Sequence, residues 1–562
     1  MQFLKFITGY SRVLVILAIL AGAISGISKA LIVALVNTVI NPHPPEQNLF
    51  LFLAFLGLCL TMPLSRFIAQ GLLTHLGQKA IFDLRMRLSQ QILKTPLRQL
   101  EEKGSPRIMA VLTDDISTIS NTMIGIPILC MQAAVVLGSL GYMAWLSLRT
   151  FLIVFGFVVV GATIYQMAVS KAVTYLKEAR DQQDALMKHF RTLLEGGKEL
   201  KLHVQRRYTF LRHVFQPSAE AFRRSNFTGN LIYAATSSFG YQLIFLVLVG
   251  LLIFLMPSVT AIDSKTLTGF TLALFYMLIP LGDIITLAPT LARANIAMEK
   301  IRSLGLSLHQ PMDNNDSPPV LPALSLERVE LVGVQHSYQH DSDSKTFMLG
   351  PIDLAFQPGE LAFLVGGNGS GKTTLAKLLC GLYAPENGEI RLNGKAVDEE
   401  MRDAYRQLFS VVFYDFHLFE SLLGMNTKEL DSKAEVYIRQ LQLDHKVTVQ
   451  NGSLSTINLS QGQRKRLALL TAFLEDRPFY IFDEWAADQD PYFREVFYLQ
   501  LLPELKAKGK TVLVISHDDR YYSLGDRIIK LDYGKIEFDQ PTGEAPLAEA
   551  KAAAGSNGIR RY

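Results

Sequence analysis

Long apolar runs fill the first half of the chain, and shorter runs alternating with polar stretches fill the second. Six long runs lie near Val13–Ile40, Leu49–Leu73, Met123–Leu146, Phe151–Val173, Leu231–Met256 and Phe270–Ala292. Each is long enough for a helix to cross about 30 Å of hydrocarbon. A helix satisfies its own backbone polar groups in lipid, so the pattern predicts six spanning helices. Between them, Ile81, Phe82, Leu84, Met86, Leu88, Ile92 and Leu93 recur at helical spacing among charges. This predicts that the spans continue as long helices into water. A Gly-Gly pair within Leu193–Leu202 predicts a break and a short transverse helix.

The polar segments set the orientation. The loop Asn41–Asn48 has no Lys or Arg, Ser147–Thr150 has only Arg149, and Pro257–Thr268 has only Lys265. Gly77–Asn121 carries seven, including Lys79, Arg85, Arg87, Lys94 and Arg98, and residues 171–224 carry a dozen. The two basic stretches are therefore expected on the cytoplasmic side, with both chain termini. Met1–Arg12 is short and amphipathic and reads as an interfacial helix leading into a retained span, with no cleavable signal expected.

Composition agrees. Residues of hydrophobic type make up 49% of the 562, and mean hydropathy is +0.21, which is too apolar for an ordinary soluble enzyme. The net charge is only +4, which fits loop charge facing anionic lipid, and no nucleic-acid partner is expected. Cys59, Cys130 and Cys380 form no disulfide framework or metal-binding spacing.

Polar groups interrupt the spans: Lys29, Asn37, Arg66, Gln70, Gln132, Gln166, Gln242 and Asp283. Charge at membrane depth is costly and marks a cavity or a partner. Lys29, Arg66, Gln132, Gln166, Gln242 and Asp283 are candidates for a polar substrate cavity. Snorkelling to an interface, or bonding to neighbouring helices, would also satisfy them.

The second half carries nucleotide chemistry. The buried-type run Leu361–Val365 leads into Gly366-Gly367-Asn368-Gly369-Ser370-Gly371-Lys372-Thr373-Thr374, a strand entering a phosphate-binding loop. The glycines let backbone N–H groups close around phosphate. Lys372 adds positive charge, Thr373 offers a hydroxyl to Mg²⁺, and a helix N-terminus faces the same phosphates. Phe479–Glu484 is a second buried-type strand, ending in two carboxylates. Asp483 suits Mg²⁺, and Glu484 suits a general base acting on water. Leu459-Ser460-Gln461-Gly462-Gln463 opens a helix about 90 residues after the loop, a second phosphate-binding helix start.

Taken together, these motifs resemble an ATP-binding cassette (ABC) exporter in which membrane and nucleotide-binding domains are fused as a half-transporter. The resemblance implies an all-α six-helix transmembrane domain followed by an α/β P-loop cassette. Expected boundaries are 1–306 for the membrane domain, 307–324 for a Pro-rich linker, 325–545 for the cassette and 546–562 for an Ala/Gly-rich disordered tail. It implies a homodimer that sandwiches two ATP molecules, with Ser460, Gln461, Gly462 and Gln463 closing on ATP held by the opposite chain. It also implies that His517 reaches the γ-phosphate, Tyr338 stacks on adenine and Asp490 lies in the loop crossing the dimer interface.

Three positions depart from the family pattern. Tyr414 stands where most members have glutamine, Gln461 replaces glycine, and Trp485 follows the glutamate. Tyrosine has no amide carbonyl, so Asp415 or a water is left to serve Mg²⁺ at that point. Around these positions, 416–419, 460–470, 483–491 and 194–202 resemble bacterial cyclic-peptide exporters of the pyoverdine and syringomycin secretion type. That implies an inner-membrane ATPase exporting a siderophore, lipopeptide or other compact peptide, using ATP and Mg²⁺ and surrounded by membrane lipid. A lipid or lipid-linked glycan flippase and a non-exporting ABC regulator are the alternatives.

Overall fold

The computed structural model describes residues 12–40, 48–255, 263–303, 321–338, 347–425 and 429–543. The interfacial segment before Arg12, most of the expected linker and the expected tail lie outside the described residues. The chain divides into two compact units. One holds Met1–Lys94 and Lys103–Met312; the other holds Thr95–Glu102 and Asp313–Tyr562.

The first unit is helical. Arg12–Ile40, Asn48–Lys94, Ile116–Leu146, Leu148–Glu195 and Ser264–Ser303 are continuous α-helices. Five helical stretches among the described residues are long and apolar enough to cross a membrane. Leu148–Glu195 has 48 residues. At ~1.5 Å rise per residue it is roughly 70 Å long, about twice a bilayer's hydrocarbon depth. The amphipathic continuation expected from Ile81–Leu93 is present, since Asn48–Lys94 runs unbroken through it. The fifth apolar run is helical in pieces: Gln216–Ala235 and Gln242–Gly250, with π-helical turns at Thr236–Tyr241 and Leu251–Leu255. Such wide turns interrupt the i→i−4 ladder. At the Gly pair, Leu148–Glu195 stops and a separate helix, Gly197–Leu202, begins.

Side chains in this unit follow the solvent they expect. Leu53, Leu60, Leu64 and Phe67 stand exposed on Asn48–Lys94, as lipid-facing or partner-facing residues would. Gly26 allows a close helix approach: a Cβ there would meet the Ala134 Cβ at 2.6 Å and the Val135 nitrogen at 2.8 Å. Asn37 is fully buried and donates from its side-chain nitrogen to the Tyr142 hydroxyl (2.8 Å) and the Lys265 carbonyl (3.1 Å). It is a bond between helices rather than part of a cavity.

The second unit is a layered α/β domain. Its main sheet runs, in spatial order, Lys535–Pro541, Arg527–Asp532, Leu361–Val365, Thr511–Ile515, Phe479–Asp483 and Phe409–Val412. All neighbours are parallel except the edge pair Arg527–Asp532 with Lys535–Pro541. The central strands are covered on both faces. Leu361, Phe363 and Val365 pack into one core and Ala362 and Leu364 into the other. Alternate residues of a strand point to opposite faces, so a doubly covered strand must be continuously apolar. A smaller antiparallel sheet contains Val329–Tyr338, Phe347–Phe356, Asn387–Leu392 and Lys395–Ala396.

One segment of this unit comes from between two membrane helices. Glu101 pairs with Lys377 at 2.7 Å and accepts from the Tyr383 hydroxyl. Arg98 pairs with Glu386, which also accepts from the Ser337 hydroxyl. Besides Leu97, which packs against the cassette core, its attachment is made of charged pairs between residues about 280 positions apart, which no local hydrophobic pattern marks.

Gly26→Val should lower the thermal unfolding midpoint of the detergent-solubilised protein, since overpacking costs ~1–3 kcal/mol. Gly57→Val, with nothing within 4 Å of the added Cβ, should leave the midpoint unchanged or raise it. Equal midpoints for the two variants would contradict the close helix contact.

Candidate nucleotide-hydrolysis site

Three adjacent parallel strands deliver the chemistry to one edge of the sheet. Leu361–Val365 enters the glycine loop, Phe479–Asp483 ends on the carboxylates, and Thr511–Ile515 leads to His517. In open α/β sheets ligands bind outside these carboxyl ends.

The loop is shaped by left-handed backbone at Gly366, Gly369 and Gly371. At Gly366 a Cβ would sit 2.1 Å from the Leu531 carbonyl oxygen, so no other residue fits. Lys372 begins the helix Lys372–Leu379 and is 5% exposed. Its ammonium donates to the Gly366 carbonyl (3.0 Å) and the Gly367 carbonyl (2.9 Å), curling over the loop. Burial lowers its pKa, while Glu484 and Asp483 pull it back up. A cleft of about 430 Å³ lies here, lined by Phe347, Asn368, Gly369, Lys372, Thr373 and Glu484 among others.

The Thr373 hydroxyl donates to Asp483 Oδ2 at 2.8 Å. Asp483 is 1% exposed, and its Oδ1 has no partner among the described residues. Burial raises its pKa, against the Thr373 hydrogen bond. A buried carboxylate oxygen left open beside a threonine hydroxyl suits a divalent cation: hard oxygen donors, one anionic, at the end of a phosphate loop. Thr373 and Asp483 are the residues that would hold Mg²⁺, and the metal would supply neutralising charge on the phosphates. Asp415 acts on Asp483 electrostatically.

Glu484 has left-handed backbone, φ 47°, and its amide donates to the Ile515 carbonyl at 3.0 Å. Its Oε1 lies 3.2 Å from His517 Nε2. The His517 hydrogen bond is the largest influence holding the Glu484 carboxyl below its usual range, against burial. The result is an ionised carboxylate oriented by an imidazole, a competent acceptor for a water proton. A second cleft, about 330 Å³, meets the first at Glu484 and is lined by Arg494, Ser516, His517, Asp518 and Arg520.

The helix Gln461–Glu475 starts in a capping box. The Ser460 hydroxyl accepts from the Gln463 amide (3.4 Å), and the Gln463 side chain accepts from the Ser460 amide (3.3 Å). Ser460 and Gln463 thus hold each other at the helix start. Gln461 donates to Asp488 at 3.2 Å, and the Gly462 carbonyl accepts from Gln489 at 3.1 Å. Asp490 caps the helix Pro491–Val496 and pairs with Arg466. These motif residues lie along one stretch of surface, apart from the Lys372 cleft lining. The backbone of Tyr338 pairs with that of Phe347 across a hairpin, and its side chain lies outside the described residues.

The family profile "ABC transporter" matches residues 349–487, and "ABC transporter transmembrane region" matches 12–281. The ATP-binding protein SyrD of Pseudomonas syringae pv. syringae is 38% identical, with 93% of each chain covered. The chain belongs to the ABC transporter family. This transporter is an ATPase with a multi-pass membrane domain and an α/β cassette. An ATP-dependent lipid A-core flippase of Alkalilimnicola ehrlichii is 26% identical, with 94% of this chain and 91% of the flippase covered. A solved bacterial Atm1-family ABC exporter with ATP bound shares the fold, with a TM-score of 0.72, 99% of each chain covered and 16% identity.

Sequence reasoning missed Phe347, Arg494, Asp518 and Lys465. Phe347 and Arg494 belong to no short motif, and Lys465 looks like a surface charge on an exposed helix start. The acceptors that allow its burial come from the distant turn Glu484–Asp488.

Glu484→Gln should retain ATP binding and lower turnover ~10²–10⁴-fold, as removal of a general base does. Single-turnover hydrolysis at wild-type rate would refute that role. Lys372→Ala should weaken ATP binding itself, read by calorimetry on the purified transporter.

Proposed function

We propose that this transporter is a homodimeric exporter that moves a cyclic or non-ribosomal peptide out of the cytoplasm across the bacterial inner membrane by alternating access. The observation that carries the peptide assignment is similarity over nearly the whole chain to SyrD, together with the motif resemblance to cyclic-peptide exporters. Siderophores, lipopeptides and antimicrobial peptides fit that class.

ATP is bound by the loop Gly366–Thr374, where Thr373 and Asp483 would hold Mg²⁺. Glu484 takes the proton of the attacking water, and His517 keeps its carboxylate in place. Tyr338 stacks on adenine. Ser460, Gln461, Gly462, Gln463 and Asp490 serve the second chain's nucleotide, so each ATP is enclosed by two chains. Closure of the two cassettes turns the cavity outward, and hydrolysis resets it.

Four of the six cavity candidates form a polar set within the membrane unit. Gln132 is 6% exposed and donates to the Asp283 carboxylate, while its carbonyl oxygen has no partner among the described residues. Lys29 feels the charges of both Arg66 and Asp283. Gln166 stands exposed on another helix, and the Gln242 side chain lies outside the described residues. An amide with a free oxygen beside mixed charges suits a polar, weakly charged peptide backbone.

A flippase reading is favoured by the lipid A-core flippase relatives and by the excess of positive charge in that set. Reconstituted transporter in vesicles separates the two. Cyclic peptides should stimulate hydrolysis severalfold and accumulate inside inside-out vesicles, whereas labelled lipids should not flip faster. Lipid flipping with no response to any peptide in the panel would replace the peptide reading.

A further inference from the structure

Lys465 lies on the first turns of the helix Gln461–Glu475, yet its side chain is only 1% exposed. A buried ammonium is tolerated when its three protons have acceptors. One points to Asp488, at 2.7 Å. A second goes to the main-chain carbonyl of Glu484, at 3.0 Å. The ring face of Tyr414 lies on the remaining side, its centroid 4.9 Å from the nitrogen, within the range of a cation–π contact. The grip is reciprocal: Trp485 Nε1 donates to the Lys465 carbonyl at 2.8 Å. Both ends of the turn Glu484–Asp488 are thus fastened to one residue.

The turn is the part of the site that most needs fastening. Glu484 has left-handed backbone without being glycine, a conformation that persists only when its surroundings impose it. That backbone directs the carboxylate toward His517. Tyr414 follows the strand Phe409–Val412, which pairs with Phe479–Asp483, and it is itself 53% exposed. Its ring therefore shields the ammonium from the loop that follows that strand.

We propose that Lys465 is a positioning residue for ATP hydrolysis: it clamps the turn carrying Glu484, and Tyr414 makes that clamp depend on the loop following Phe409–Val412. Tyr414 then acts through its ring face, and its hydroxyl has no part in the reaction. The inference rests on Glu484 as general base and is independent of the cargo.

Basal ATP turnover by the purified full-length transporter tests it. Tyr414→Phe keeps the ring and should hold kcat within about 2-fold, whereas Tyr414→Leu should lower kcat roughly 3- to 10-fold with KM for ATP unchanged. Lys465→Met should lower kcat ~10²-fold, as displacement of a catalytic group does, with nucleotide affinity retained. The double variant Lys465→Met/Tyr414→Leu should be no slower than Lys465→Met, because both changes release one contact. Loss of activity in Tyr414→Phe equal to that in Tyr414→Leu would overturn the proposal, since the hydroxyl would then be the functional atom. Full additivity, or a rise in KM at constant kcat, would overturn it as well. If Lys465→Met does not fold, the two Tyr414 variants decide, because that side chain is half exposed. Peptide transport takes no part in these readouts, so their failure leaves the export assignment standing. Failure of the Glu484→Gln prediction would instead remove the base on which the clamp acts.

Discussion

Leu361–Val365 pairs in parallel with Thr511–Ile515, and that strand pairs in parallel with Phe479–Asp483. Parallel neighbours end at the same edge of a sheet. The phosphate loop, His517 and the acidic pair therefore emerge at one edge, although 110 residues separate Thr373 from Asp483 and 33 separate Glu484 from His517. Two bonds record that placement: Thr373 to Asp483, and His517 to Glu484. Shifting any of these strands by one residue would turn its core-facing side chains to the other face and move its terminal chemistry out of register. Continuous burial of Leu361–Val365, Phe479–Asp483 and Thr511–Ile515 is what opposes such a shift.

Electrostatics refine what the sheet arranges. Lys372, Asp483 and Glu484 are all partly or fully removed from water, and each would be costly there alone. Together they offset one another, with ammonium facing two carboxylates and imidazole facing one of them. Asp483 keeps an open oxygen, and Glu484 stays ionised. Neighbouring carboxyls pushed in opposite directions by their surroundings take different tasks. Here one is suited to metal and the other to a water proton.

The membrane unit is governed by a different limit. Lipid offers no hydrogen bonds, so polar groups there must find partners in the chain or face a cavity. Asn37 finds two partners and is structural. Gln132 finds one, the Asp283 carboxylate, and its carbonyl oxygen has no partner among the described residues. Both residues look alike in sequence, as single amides in apolar runs. Only the neighbours supplied by other helices tell them apart.

Local pattern determined a good deal. Run length alone placed five of the six expected membrane helices as continuous helices, because crossing hydrocarbon demands a minimum number of apolar residues. Spacing alone exposed the phosphate loop and the Asp483-Glu484 pair, because their chemistry sits in consecutive residues on predictable elements. The Gly196-Gly197 break was legible for the same reason: it is a backbone property. Tertiary structure decided what depends on distant partners. Thr95–Glu102 reads as an ordinary basic connection and joins the cassette unit through Lys377, Tyr383 and Glu386. Tyr414 reads as a lost glutamine and proves to cover a buried ammonium. Lys465 stands in the sequence between Arg464 and Arg466 with nothing local to single it out, and it is held by a turn about 20 residues away. Periodicity reports which face of an element is apolar, but the acceptors that make a buried charge affordable come from elsewhere in the fold.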